Sequence, residues 1–436
     1  MRIERKRREA MVVCAIVLSL FCANPSKAYS VLTHEAIIDA AWDTHIRSAL
    51  LKRFPESTPE QLREAHAYAY GGAIIQDMGY YPHGNKFFSD LTHYVRSGDF
   101  VEALLRDSRD LDEYAFAVGA LSHYAADNAG HRLAINVAVP LLYPELRKKY
   151  GNVVTYEDDP LAHVKTEFGF DVLEVAKERY APQSYHDFIG FAVAQPLLER
   201  AFQETYGLEL RFIFHDEDRA IESYRHSVSS LIPKVAKVAW QLKQNDIRQD
   251  IPGMTRQKFL YNLSQASYEK EWGKNYQKPS FGDRFLVILY RLVPKVGPLR
   301  VLGFRAPTPQ TEKLFENSFN ITLNQYQTYL ASLRQDKLDL PNDNIDVGER
   351  TVRGEYRLND AAYAQLLEKL AQEQFVRASS PLRADLLRFF ETQPDSPKSR
   401  RNEKARIRLQ EDVEKLRNAM AISSVSNPAE GQISSH

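Results

Sequence analysis

The densest chemistry in the chain is the run His123-Tyr-Ala-Ala-Asp127-Asn-Ala-Gly-His131, which sets three metal-capable side chains at i, i+4 and i+8. Each four-residue step on an α-helix advances by roughly 40°, so all three project from one face over about two turns. The small residues Ala125, Ala126, Ala129 and Gly130 around them leave room for a neighbouring backbone or an ion to approach. His163-Val-Lys-Thr-Glu167 repeats the i, i+4 device. An imidazole and a carboxylate one turn apart can hold a single Zn²⁺ from one side, with other helices and water completing its shell. His34, Asp77 and His93 lie on three earlier segments and extend the ligand set. Taken singly, a lone histidine is more often a hydrogen-bonded core or surface residue, and His163 with Glu167 more often an exposed helix pair. The joint pattern is far stronger than any member.

Positioning these groups requires helices, and the sequence reads as helix after helix. Thr58-Pro59-Glu60-Gln61 combines a cap, a proline at the first helical position and the glutamine of a capping box, which predicts a helix running to about Ile75. Leu111, Ala115, Val118 and Leu121 recur at helical spacing up to His123, and Asp159-Pro160 opens a helix whose stripe is Leu161, Phe168, Val172 and Val175. Further helical patterns fall near 185–206, 217–247, 308–335, 359–390 and 401–420. No alternating apolar and polar run is long enough to build a sheet. The expected fold is all-α and multi-helical, with the turn-rich stretch from Leu340 to Gly354 separating helical subregions.

Composition narrows the function classes. The chain has 436 residues, equal numbers of basic and acidic residues and 11% aromatics, which suits a folded protein with a substantial core. The zero formal charge removes bulk electrostatics as a reason to bind nucleic acid. Only 2 cysteines exclude a disulfide scaffold and a four-thiolate zinc site, so any metal must rest on His, Asp and Glu. Arg2, Arg5, Lys6, Arg7 and Arg8 precede an apolar run from Met11 to Ala23, and Ser26-Lys27-Ala28 has small residues where a signal peptidase needs them. Residues 1–28 therefore read as a secretory signal cleaved before Tyr29. Both Cys14 and Cys22 would leave with it, giving a thiol-free protein in the periplasm or outside the cell.

The order of these residues, beginning with Tyr29-Ser-Val-Leu-Thr-His34, resembles the bacterial zinc-dependent phospholipase C family and its relatives, the S1/P1 nucleases. It also resembles the N-terminal domain of glycosylphosphatidylinositol-specific phospholipase D. In that superfamily the mature chain begins with an aromatic residue, usually Trp, whose free amine and carbonyl chelate a zinc. Tyr29 stands in that place here, and an α-amine with a pKa near about 8 yields its proton readily to a metal. Carried over residue by residue, the resemblance implies three zincs per chain. One is held by Asp77, His93, His123 and Asp127, a second by His131, His163 and Glu167, and a third by Tyr29 and His34 with Asp127 bridging. Asp127 and His131 are four apart, which is more like the phospholipase D relative than the six-residue spacing usual in the small phospholipases C and the nucleases. Glu167 is the carboxylate typical of the phospholipases, where the nucleases tend to have aspartate.

What the resemblance implies is phosphodiester hydrolysis of a glycerophospholipid by metal-activated water, with Asp77 as both ligand and the carboxylate that orients the water or takes its proton. Type D cleavage, a single-strand nuclease on the same site and a non-catalytic zinc-binding exported protein are the competing readings. Tyr80, Tyr81, Phe87 and Phe88 between two proposed ligands either pack in the core or wall a pocket for a quaternary ammonium headgroup. Phe285 to Phe304, apolar clusters punctuated by Arg284, Arg291, Lys295, Arg300 and Arg305, is either a peripheral membrane contact or a hairpin packed on the catalytic domain. The expected organisation is a catalytic domain at 29–250, a helical extension at 251–395 and a charged helix with a flexible tail at 396–436.

Overall fold

The structure, a computed structural model, describes residues 30–179, 191–228, 232–259, 297–392 and 403–425. It is all-α as the sequence predicts. Helix α1 (Val31–Ala41) passes through a π-turn at Trp42–Ile46 into α2 (Arg47–Arg53), followed by α3 (Pro59–Gly72), a 3₁₀ turn at Ile75–Tyr80, α4 (Lys86–Tyr94) and α5 (Ser97–Asp107). Helix α6 (Leu111–Gly130) runs into a π-turn at His131–Ile135 and then α7 (Asn136–Leu142), α8 (Pro144–Tyr150) and α9 (Pro160–Ala176). After α10 (Gln195–Tyr206), α11 (Glu217–His226) and α12 (Ile232–Asp250), the chain continues with α13 (Pro309–Leu333), a hairpin of β1 (Asp343–Asn344) and β2 (Glu349–Arg350), α14 (Arg357–Gln372), α15 (Ser380–Glu391) and α16 (Glu403–Val425). Among the described residues no helix is long and apolar enough to cross a membrane.

Helix α6 is the axis of the molecule. Every residue from Glu113 to Gly130 on it is buried, as expected of a helix that is apolar nearly all round. Its main neighbours are α3 on one side and α13 on the other. The crossing with α3 is so close that it depends on glycine. A Cβ on Gly119 would lie 2.1 Å from the Ala69 carbonyl oxygen, and one on Gly72 would lie 1.9 Å from that of Phe116. This backbone contact brings the 3₁₀ turn that follows α3 against the middle of α6, where the His123 ring sits.

Local signals explain most boundaries. The Thr58 capping box forms with both reciprocal hydrogen bonds, but α3 stops at Gly72, short of the expected Ile75, because the next residues turn to form the 3₁₀ segment. Of the helix expected over 217–247, the described residues are helical at Glu217–His226 and again at Ile232–Asp250, and residues 229–231 lie outside the described residues. The one expected over 359–390 is two helices. Gln374 and Phe375 adopt positive φ of 53° and 58° after α14, and Ser379 caps α15 with Pro381 in its first turn. Of the pattern at 185–206, the described part is helical from Gln195.

The stretch from Leu340 to Gly354 lies between the helices α13 and α14. It packs onto α4, α5 and α6 through long-range hydrogen bonds. Tyr124 Oη donates to the Pro341 carbonyl at 2.6 Å, Ser97 Oγ to that of Asp343 at 2.6 Å, and the Ile345 amide to that of His93 at 3.2 Å. Gly348 turns the hairpin with φ +66° at a point where a Cβ would meet the Asn128 carbonyl oxygen at 2.4 Å. Among the described residues a hydrophobic core cluster extends from Val31 to Leu416.

Candidate metal centre

Eight of the nine sequence-predicted ligands are described, and the structure brings all eight together. His34 comes from α1, Asp77 from the 3₁₀ turn, His93 from the last turn of α4, His123 and Asp127 from α6, His131 from the π-turn and His163 with Glu167 from α9. All are buried. Their donor atoms converge in three groups that could each hold a metal ion: His34, His123 and Asp127; Asp77, His93 and His123; and His131, His163 and Glu167. Tyr29 lies outside the described residues.

Asp127 is the hub. Its Oδ1 lies 3.6 Å from His34 Nε2, and its Oδ2 lies 3.5 Å from His93 Nε2, 3.1 Å from His123 Nε2 and 3.7 Å from His131 Nε2. His93 Nε2 is also 3.5 Å from Asp77 Oδ1. Ring stacking of His34 on His123, with centroids 4.5 Å apart, packs two of these imidazoles face to face.

Backbone carbonyls set the tautomers. A carbonyl only accepts, so His93 Nδ1, 2.8 Å from the Ser89 oxygen, and His123 Nδ1, 3.0 Å from the Ala73 oxygen, must donate. Each Nε2 is thereby turned toward the carboxylates, the arrangement in which a metal ligand's other nitrogen is anchored. Asn136 does the same for His163. Its Nδ2 donates to the Asp346 carbonyl at 2.9 Å, so its Oδ1, 2.8 Å from His163 Nε2, accepts a hydrogen bond from that nitrogen. His163 Nδ1 is left facing Glu167 Oε1 at 2.7 Å, two lone-pair groups that require a proton or a cation between them. The Asn136 carbonyl is free for other use because Pro140, four residues on, has no amide to give it, and it accepts from Val154 N at 2.9 Å.

The electrostatics fit a cation. Both oxygens of Asp77, both of Asp127 and Nε2 of His123 and of His131 are buried without a hydrogen-bond partner. Among the described residues neither aspartate pairs with Lys or Arg. Burying such carboxylates is costly unless positive charge faces them. Burial pushes the Asp127 carboxyl up, but the facing histidines, His123 foremost, prevail and hold it well below the ordinary range. Burial disfavours the charged His93 ring, yet the facing carboxylates of Asp127 and Asp77, each 3.5 Å from its Nε2, raise its pKa well above the usual value. Burial and then the neighbouring His131 hold His163 well below the usual value, so its ring is neutral, as a ligand must be.

Sequence reasoning missed three contributors. Asp171 extends the His163, Glu167 stripe by another i+4 step, a signal that was there to be read. Its carboxylate accepts from the Leu32 amide at 3.1 Å and from Thr33 Oγ1 at 2.6 Å, fixing the first turn of α1 and hence His34. Asn136 and Asp346 are the others. Of the aromatics between Asp77 and His93, Tyr80 borders the centre, with its ring 6.0 Å from His93 and 6.5 Å from Tyr156. Tyr81 packs on Tyr224, Phe88 packs on Phe202 and Phe214, and Phe87 is buried, so these three follow the core-packing alternative. Residues 285–296 lie outside the described residues. The end of that stretch is buried, with Val301 and Leu302 in the core and Phe304 edge-on to Phe168 at 5.6 Å.

Comparison with known proteins agrees with this centre. Residues 33–215 match the family model described as zinc dependent phospholipase C, a span that contains every described candidate ligand. No curated protein and no solved structure matches the chain.

Proposed function

The segment 33–215 belongs to the zinc-dependent phospholipase C family, whose members are hydrolases acting on phosphodiester bonds; from this premise we propose that the protein is an exported type C phospholipase carrying three zinc ions. The observation that carries the reading is the convergence of six elements on Asp127 and the two groups beside it. Bound zinc supplies Lewis acidity toward phosphate oxygens and lowers the pKa of a water toward about 7.

The chain's own residues do the rest. Asp127, with two oxygens spread over four histidines, joins the His34 group to the His93 and His123 group. Asp77 keeps both oxygens uncommitted to any protein donor, which suits a carboxylate that ligates through one and orients a water, or takes its proton, through the other. Asp171 pins the backbone at Leu32 and Thr33, the two residues that precede His34. Cleavage of the signal after Ala28 is in this reading a step in building the site.

The test is turnover of phosphatidylcholine vesicles by the exported, zinc-loaded protein. Diacylglycerol and phosphocholine are the expected products. Phosphatidic acid would reassign the enzyme to type D, and nucleotide release from single-stranded DNA with no lipid turnover would overturn the lipid reading.

A further inference from the structure

The third group, His131, His163 and Glu167, has a second carboxylate beside it that the matched span does not contain. Asp346 sits in the turn between β1 and β2, 3% exposed, on the hairpin that folds back over α4 and α6. Its Oδ2 accepts from two tyrosines, Tyr94 Oη at 2.7 Å and Tyr356 Oη at 2.9 Å. Its Oδ1 faces His131 Nε2 at 3.8 Å, too far for a hydrogen bond and comparable with the 3.5 to 3.7 Å that separate the histidines and carboxylates elsewhere in the centre. Among the described residues no Lys or Arg pairs with it. The backbone is fixed on both sides: the Asp346 amide donates to Asn344 Oδ1 at 2.9 Å, and its carbonyl accepts from Asn136, the residue that sets the His163 tautomer.

We propose that Asp346 is a further member of the metal centre, a carboxylate aimed by Tyr94 and Tyr356 at the ion held at His131, so that the C-terminal hairpin completes a site begun by the first half of the chain. The inference rests on the zinc-site reading above. A buried carboxylate with one oxygen tied to two hydroxyls and the other directed at a proposed ligand needs a positive charge there. The Asn136 amide ties the hairpin backbone to His163, so one side chain links the carboxylate's residue to the imidazole. It follows that a chain ending near residue 250 would lack one of the groups that hold this ion.

The experiment compares zinc stoichiometry and chelator-competition affinity in the full chain for wild type, E167A, D346N and the double variant Y94F/Y356F, together with thermal unfolding of the metal-free proteins. Asn is isosteric and can still accept from a tyrosine. D346N should therefore keep the metal-free midpoint while one ion is lost or held at least about tenfold more weakly, and Y94F/Y356F should weaken the same ion severalfold. If D346N does not fold, the double variant, which leaves the carboxylate but not its aim, carries the test. Unchanged affinity for all ions in the folded variants overturns the proposal. Wild type without zinc would instead overturn the underlying reading, and E167A losing an ion that D346N retains would overturn only the role of Asp346.

Discussion

Replacing Asp127 by Asn removes one negative charge from the point where four imidazoles meet, and the consequence can be sized from the distances. Unit charges about 3.5 Å apart interact by about 5 kcal/mol at an effective dielectric of about 20. The four Asp127 contacts lie between 3.1 and 3.7 Å, so each positive charge brought into the centre loses a term of that order. At about 1.4 kcal/mol per tenfold, the ions at the His34 group and at the His93 and His123 group should bind at least about a thousandfold more weakly. The ion at His163 and Glu167, which Asp127 touches only through His131, should be affected much less. The variant should purify with about one zinc, measured by plasma mass spectrometry after dialysis, and its phosphodiesterase activity should fall with the metal. Far-ultraviolet circular dichroism serves as the folding control. A folded D127N that keeps the wild-type zinc content and chelator resistance refutes the hub role.

Three further outcomes follow from the same structure. D171A removes the carboxylate that holds the Leu32 amide and Thr33 Oγ1, so it should weaken the ion at His34 by about 10- to 100-fold while zinc at Glu167 stays, read by titrating zinc into the metal-free protein. Glu174 is raised from 4.5 to about 7 chiefly by burial, so its contribution to stability is intact below 4.5 and lost as pH rises through 7. E174Q in chelator should therefore unfold like wild type near pH 4 but gain up to about 3 kcal/mol above pH 8 in urea titrations, and equal stability at both pH values would disprove the assignment. G119A drives a Cβ into the Ala69 carbonyl and should cost about 3 kcal/mol or more in the metal-free protein by thermal unfolding, whereas an unchanged midpoint would mean that the α3 and α6 crossing is not as close as described.

The sequence made the local part of the centre legible and hid the long-range part. His123, Asp127 and His131, and separately His163 and Glu167, announce themselves because a helix converts four-residue spacing into a shared face. The Thr58 capping box and the Asp159-Pro160 start were readable for the same reason, since each is a short-range hydrogen-bonding signal. That His34, Asp77 and His93 join them came from a resemblance, because nothing within a single helix says which other segment it will meet. Asp346 carried no signal at all. It is one aspartate in a turn-rich stretch, and its value depends on hydrogen bonds to Tyr94 and Asn136, 252 and 210 residues away. Turn residues there read as a boundary, yet Gly348 supplies a turn at which the hairpin backbone meets that of α6. The split of 359–390 was invisible because Gln374 and Phe375, neither a turn-favouring residue, take the positive φ.

The central claim is a trinuclear zinc centre closed by the amine of a processed chain. It is tested most directly by measuring the metal content and the N-terminal mass of the exported protein. About three zincs on a chain beginning at Tyr29 is the predicted result. One zinc or none on a normally folded chain, or three zincs on a chain with residues 1–28 still attached, would contradict it.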